Sequence, residues 1–95
     1  MKLIGKQILK NFKEQHADAR SHIESWEAEV EGAQWSKPDD IRRKYRRASF
    51  LKDRHIVFNI CWNKYRLLVQ ITYKSGIVFI KKISTHKEYD NWKLT

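Results

Sequence analysis

A chain of 95 residues supplies one compact domain and little material for a second core; at this size folding buries roughly 60–65% of the unfolded surface. Its 41% hydrophobic and 33% charged residues are the composition of a folded, soluble chain rather than a disordered one. Twenty Lys and Arg against eleven Asp and Glu leave a formal charge of +9, which points to a polyanion as partner: nucleic acid first, then an acidic protein or an anionic membrane surface.

No apolar run reaches the length of about 18 residues that spans a bilayer. The longest, at 56–62 and 67–73, are broken by Asn59 and Gln70. Lysines are spaced through the apolar residues of the first fifteen positions, which is not the pattern of a secretory signal. The lone Cys61 excludes an intramolecular disulfide framework, so the expected location is the reducing cytoplasm, with no membrane partner.

In chain order, Lys2-Leu3-Ile4 is a short apolar start that suits a strand. After Gly5, the residues Ile8, Leu9 and Phe12 fall at helical spacing. Ala19, Ile23, Trp26, Val30 and Ala33 then trace the stripe of an amphipathic helix. Asp18 between the two runs reads as an N-cap, which makes two helices of the segment, and Gly32 with Pro38 ends the second. Such stripes are core, and no chemistry is assigned to them. Residues 1–33 carry a net charge of −1, so the +10 of residues 34–95 holds the whole polyanion signal.

Pro38-Asp39-Asp40 opens a further helix, with Pro in the first turn and two acids at the positive end of the dipole. That helix is expected to carry Arg42, Arg43, Lys44, Arg46 and Arg47 around Tyr45. Three strand-like segments follow, at 54–62, 65–73 and 77–84. In the first, Ile56, Phe58 and Ile60 alternate with Val57, Asn59 and Cys61; in the second, Leu67, Val69, Ile71 and Tyr73 oppose Arg66, Leu68, Gln70 and Thr72. The connections at Asn63-Lys64 and Lys74-Ser75-Gly76 are short, which makes the three an antiparallel meander.

Three constellations are able to carry chemistry. The first is the basic cluster of Arg42, Arg43, Lys44, Arg46, Arg47, Lys52 and Arg54, whose guanidinium forks match phosphate oxygens and whose binding releases counterions from a nucleic acid. Tyr45 and Phe50, interleaved with it, offer surfaces for unpaired bases. A dock for an acidic protein and a plain solvated face are the other readings of the same charges. The second is Arg66, which alternation turns away from Leu67, Val69 and Ile71: either a cation for a phosphate or an arginine covering apolar surface with its stem. The third is Thr85-His86-Lys87-Glu88-Tyr89-Asp90. Thr85 and Glu88 fit a capping box, and a helix starting there aligns His86, Tyr89 and Asp90 on one face. Metal chemistry fits poorly, with one cysteine and with His16, His22, His55 and His86 out of ligand spacing. No glycine-rich phosphate loop is present among three glycines, so no cofactor is expected.

The segments RHIVFNI (54–60), YRLLVQI (65–71) and VFIKKISTHKEYD (78–90) resemble the HigB toxins of bacterial toxin–antitoxin pairs, above all in THKEYD. Those toxins in turn resemble the wider RelE-like mRNA interferases. The resemblance implies an α+β fold over a single domain of residues 1–95, with two N-terminal helices packed on a small, mainly antiparallel sheet and a short C-terminal helix. It implies a metal-independent endoribonuclease that cleaves mRNA, commonly at the ribosomal A site, with the substrate 2′-hydroxyl as nucleophile. On this pattern Arg66 faces the phosphate, His86 transfers a proton, Tyr89 positions the substrate, Lys87 is a second cation and Asp90 orients or caps. No general-base glutamate is matched. A helix-turn-helix antitoxin of the HigA type is the implied protein partner. Residue chemistry by itself also fits a non-catalytic RNA-binding or ribosome-associated module, or an adaptor for an acidic protein.

Overall fold

The structure, a computed structural model, describes residues 1–89. Strand β1 (Lys2–Ile4) leads through Gly5 into helix α1 (Lys6–Gln15). A 3-10 turn (Ala17–Ala19) joins α1 to α2 (Arg20–Glu31), and the short α3 (Pro38–Arg42) follows. Strand β2 (Ser49–Phe50), a second 3-10 turn (Lys52–Arg54), β3 (His55–Ile60), β4 (Tyr65–Thr72) and β5 (Ile77–Thr85) come next, and α4 (His86–Tyr89) ends the described chain. The five strands form one sheet in the order β1-β5-β4-β3-β2. Pairing is antiparallel throughout except between β1 and β5, which run parallel.

The α+β class and the two leading helices match expectation, and so do the strand at residues 2–4 and the meander. The helical stripes are core: α1 buries Leu9 and Phe12, and α2 buries Ile23, Trp26 and Val30. They pack on the sheet face formed by Ile56, Phe58, Ile60, Leu67, Val69, Ile71, Val78 and Ile80. Phe58 is the hub, meeting Trp26 and Tyr45 edge to face at 5.4 and 4.9 Å and lying near parallel to Trp35 at 6.4 Å. Entry into α1 depends on Gly5, whose φ of 95° is open to glycine and strained for other residues. A Cβ there would sit 2.8 Å from the carbonyl oxygen of Ile80, because the chain turns directly against β5.

Two local expectations are corrected. Asp18 does not cap α2: Ala19 occupies that position, and Asp18 lies inside the 3-10 turn with its carboxylate turned to long-range partners. The basic helix stops at Arg42 instead of running on through Arg47. Continuing it would stack Arg42 on Arg46 and Arg43 on Arg47 as like-charged i,i+4 pairs, which destabilise a helix. Tyr45 also turns inward there, donating its hydroxyl to Glu29 Oε1 at 2.5 Å and packing edge-on against Trp35 and Phe58. Burial, then that carboxylate, pushes its phenol well above the ordinary tyrosine range. Both rings are half-buried: Tyr45 packs on the core and also lines a groove with Trp62, and Phe50 packs on the core beneath the Arg42 guanidinium at 4.2 Å.

The other face of the sheet carries a mixture of polar and apolar side chains. Cross-strand rows there run Asn59–Arg66–Ser84 and Val57–Leu68–Lys82. Val57 and Leu68 are only 2% and 5% exposed although they lie outside the main core. Register slips between Leu68 and Val69, leaving Lys81 as the extra residue of a β-bulge, which increases local twist.

Candidate active site

Arg66 stands on β4 on the face away from α1 and α2, half-buried in the row with Asn59 and Ser84. Its Nη1 donates to the carbonyl of Asn63 at 2.8 Å and to that of Tyr65 at 3.4 Å. Both bonds use the same nitrogen. The Nε and Nη2 edge, the pair that grips two oxygens of a phosphate side by side, makes no hydrogen bond among the described residues. Its Cζ lies 5.5 Å from the centre of the Tyr89 ring, in cation–π range, so the structure brings together two of the residues singled out from sequence.

The third, His86, opens α4 directly after β5 and is exposed. Its backbone N–H donates to the carbonyl of Lys64 at 3.0 Å. One turn, residues 61–64, thus supplies a carbonyl to the Arg66 guanidinium and another to the His86 backbone N–H, a common support for the two residues. The capping box forms as expected: the Glu88 N–H donates to Thr85 Oγ1 at 3.2 Å, and the Thr85 N–H donates to Glu88 Oε1 at 3.1 Å. Those bonds from the Thr85 backbone, then its hydroxyl, hold the Glu88 carboxyl below the ordinary glutamate range. Glu88 is therefore an ionised cap. Lys87 lies exposed on α4 between His86 and Glu88. Asp90 lies outside the described residues.

The support has its own anchor, which sequence reading missed. Tyr65, buried at the start of β4, donates its hydroxyl to Asp18 Oδ1 at 2.8 Å, and Lys64 Nζ closes on the same carboxylate. The Lys64 hydrogen bond, then that of Tyr65, holds Asp18 below the usual carboxylate range, and the same contact raises Lys64. Burial first, then Asp18, pushes the Tyr65 phenol up. The ring of His16 stacks on Phe12 at 4.1 Å, and Tyr65 meets Phe12 edge-on at 5.1 Å. These contacts tie the α1–α2 junction to a turn more than forty residues away, a separation that leaves no local pattern. The one sequence signal was Asn63-Lys64, read as a short turn between two strand-like segments.

The basic cluster divides in the structure. Arg42 pairs with Asp39 at 3.3 Å and Arg43 with Asp40 at 2.7 Å; with Lys37 and Arg46 they line a depression of about 570 Å³. Lys44 reaches Glu29 at 3.7 Å. Lys52 lies exposed in the second 3-10 turn, and Arg54 donates from Nε to the carbonyl of Ile71 at 3.1 Å. Arg46 and Arg47 are exposed, and their side chains make no ion pair or hydrogen bond among the described residues. They border a groove of about 440 Å³ with Asn59 and Trp62, next to the Arg66 row.

Among the described residues, no three His, Cys, Asp or Glu side chains cluster so as to hold a metal ion, and no helix is long and apolar enough to cross a membrane. Cys61 is buried just beyond β3, its Sγ 3.9 Å from the carbonyl of Asp18.

Comparison with known proteins adds an independent finding. Residues 19–92 match the model of a family described as the RelE-like toxic component of a toxin–antitoxin system. The mRNA interferase toxin HigB of Escherichia coli K12 is 26% identical over 92 residues, covering 95% of this chain and 88% of that protein. The mRNA interferase HigB of Escherichia coli O157:H7 and that of Shigella flexneri are similar to the same extent, at 26% identity over 92 residues.

Proposed function

The chain belongs to the HigB toxin family, the RelE-like toxic component of toxin–antitoxin systems, and from that premise we propose that it is an endoribonuclease that cuts mRNA at the ribosomal A site without a metal ion. The observation that supports this reading is Arg66, whose Nε and Nη2 make no hydrogen bond among the described residues and whose Cζ lies 5.5 Å from the centre of the Tyr89 ring, on the helix that His86 opens. The helix arrangement is read as RelE-like on the same premise.

The nucleophile is the substrate's own 2′-hydroxyl, which attacks the adjacent phosphorus, expels the 5′-oxygen and leaves a 2′,3′-cyclic phosphate and a 5′-hydroxyl end. The protein has four tasks: to bend the strand into line, move the 2′ proton, neutralise the charge of the phosphorane and protonate the leaving oxygen. Arg66 binds the scissile phosphate and meets the charge that grows on it. His86 transfers protons, its imidazole being the side chain whose ordinary pKa lies nearest neutrality. Tyr89 packs on Arg66 and positions the strand, Lys87 supplies a second cation, and Asp90 orients the imidazole or caps α4. Arg42, Arg43, Arg46, Arg47, Lys52 and Arg54 bind the RNA backbone around the site. A HigA-type helix-turn-helix antitoxin is the protein partner, and the cytoplasm the place of action.

A translation extract programmed with a defined mRNA tests this directly. The wild-type chain is expected to generate cyclic-phosphate ends in the message, and to cut naked RNA far less. Arg66→Ala and His86→Ala are expected to lower cleavage by about 10²–10³-fold or more while remaining folded. Full activity in both variants would refute the site, and loss of cleavage with EDTA on intact ribosomes would refute the metal-free chemistry.

A further inference from the structure

Among the described residues only Ile4 and Trp62 are large hydrophobics left exposed, and Trp62 is the extreme, with 80% of its surface in solvent against 39% for Ile4. Tryptophan is ordinarily kept because its large ring is covered by something. The turn itself gives no reason for it. Cys61 and Trp62 take φ values of 54° and 61°, the left-handed region in which a bulky residue is an outlier and glycine or asparagine the relaxed choice. The ring is braced: His22 on α2 meets the indole edge to face at 5.2 Å. Beside it lies the groove of about 440 Å³ whose polar lining includes Lys44, Arg46, Arg47 and Asn59. Arg42 and Arg43 are engaged by Asp39 and Asp40, whereas Arg46 and Arg47 have no such acid among the described residues.

We propose that Trp62, Arg46 and Arg47 form a base-stacking subsite for single-stranded RNA, in which an unpaired nucleobase lies on the indole and the flanking phosphates bind the two guanidinium groups. Aromatic rings beside cations are how proteins hold unpaired strands without reading them base by base. The subsite is continuous with the proposed cleavage centre, because Asn59 lines the groove and is the cross-strand partner of Arg66. That continuity favours RNA over an acidic peptide as the occupant. The proposal rests on the ribonuclease reading and deepens it by naming where the strand is gripped.

The test uses the full chain and a single-stranded RNA hexamer whose riboses are 2′-O-methylated, so that binding is measured without cleavage. Trp62→Ala is expected to weaken binding at low salt about five- to a hundredfold, and Trp62→Phe to keep most of the affinity. One abasic replacement along the hexamer is expected to reproduce the loss in the wild type and to cost nothing further in Trp62→Ala. In the programmed extract, Trp62→Ala is expected to redistribute the cut sites. Wild-type affinity and an unchanged cleavage map in Trp62→Ala would overturn the subsite while leaving the ribonuclease intact. A Trp62→Ala chain that keeps its RNA affinity but no longer binds the antitoxin would overturn it in favour of a protein interface. Absence of cleavage by the wild type in the extract would instead overturn the ribonuclease reading on which the subsite depends.

Discussion

Thr85 tests how the end of β5 controls the site. Its hydroxyl accepts the Glu88 N–H at 3.2 Å and donates to Glu88 Oε1 at 3.0 Å, on a helix described over four residues. A cap matters at the start of a helix because nucleation is the costly step. Replacing a Ser or Thr cap by Ala costs about 1 kcal/mol, which is about a fivefold shift in the equilibrium between formed and frayed α4. Thr85→Ala should therefore speed exchange of the Glu88 amide by about fivefold and lower single-turnover cleavage by up to that factor, with substrate affinity unchanged. The loss should stay local. A global loss of 1 kcal/mol lowers Tm by about 4–8 °C in a chain of this size, whereas α4 lies outside the main core and its fraying should move Tm far less. Thr85→Ser should restore both amide protection and rate. Equal impairment in the Ser and Ala variants, or unchanged exchange in Thr85→Ala, would refute the capping account.

Further expectations follow from other parts of the molecule. Arg66→Lys keeps the charge but loses the paired Nε–Nη2 edge, so cleavage should fall by about 10²–10³-fold, close to the fall for Arg66→Ala, with urea midpoints little changed. A lysine variant with near-native rates would show that only a point charge is needed. Gly5→Ala should lower stability by more than about 1–2 kcal/mol, because a φ of 95° penalises any side chain and the new Cβ meets Ile80 O at 2.8 Å; an unchanged denaturation midpoint would contradict the close approach. The Asp18 carboxyl is depressed in the folded chain by Lys64 and then Tyr65, so its stabilising effect is complete above the ordinary value of 3.8 and is lost as pH falls through the lower folded value. The urea midpoint of the wild type should thus exceed that of Asp18→Asn at pH 6 and approach it as pH drops below about 3.8; a gap that stays constant down to pH 2 would contradict the assigned cause.

The elements readable from sequence were those whose signal is local. The stripe of Ile23, Trp26 and Val30, at i, i+3 and i+7, signals a helix, and all three are buried in α2. The alternation of Leu67, Val69 and Ile71 against Arg66 and Leu68 oriented β4 correctly and put Arg66 on the face away from the helices. Thr85 and Glu88 signalled their cap because both partners lie within one turn. What failed was decided at long range. Asp18 has the local credentials of an N-cap, but Tyr65 and Lys64, at sequence separations of 47 and 46, compete for its carboxylate. Tyr45 and Phe50 sit among arginines in the chain, yet their rings complete the aromatic cluster around Phe58 and the cover of the core. Arg66, His86 and Tyr89 were named as candidates from sequence, but the turn at 61–64 that supports Arg66 and His86 was not legible. Its contribution is two backbone carbonyls, and every residue has one of those.

Strand order has a consequence for when this chain becomes a structure at all. The last strand is threaded between the first and the fourth: β5 pairs with β1 on one side and β4 on the other. A chain ending before residue 77 has β1 without a neighbour and β4 with a bare, largely apolar flank, and the packed layer between α1 and the sheet lacks Val78 and Ile80. Such a fragment is prone to aggregate rather than to act. Because α4 continues directly from β5, the segment that closes the sheet also delivers His86 and Tyr89. On the proposed assignment, the strand that completes the sheet runs straight into the segment bearing His86 and Tyr89, so interference with the pairing of β5 is expected to impair cleavage without altering any proposed site side chain.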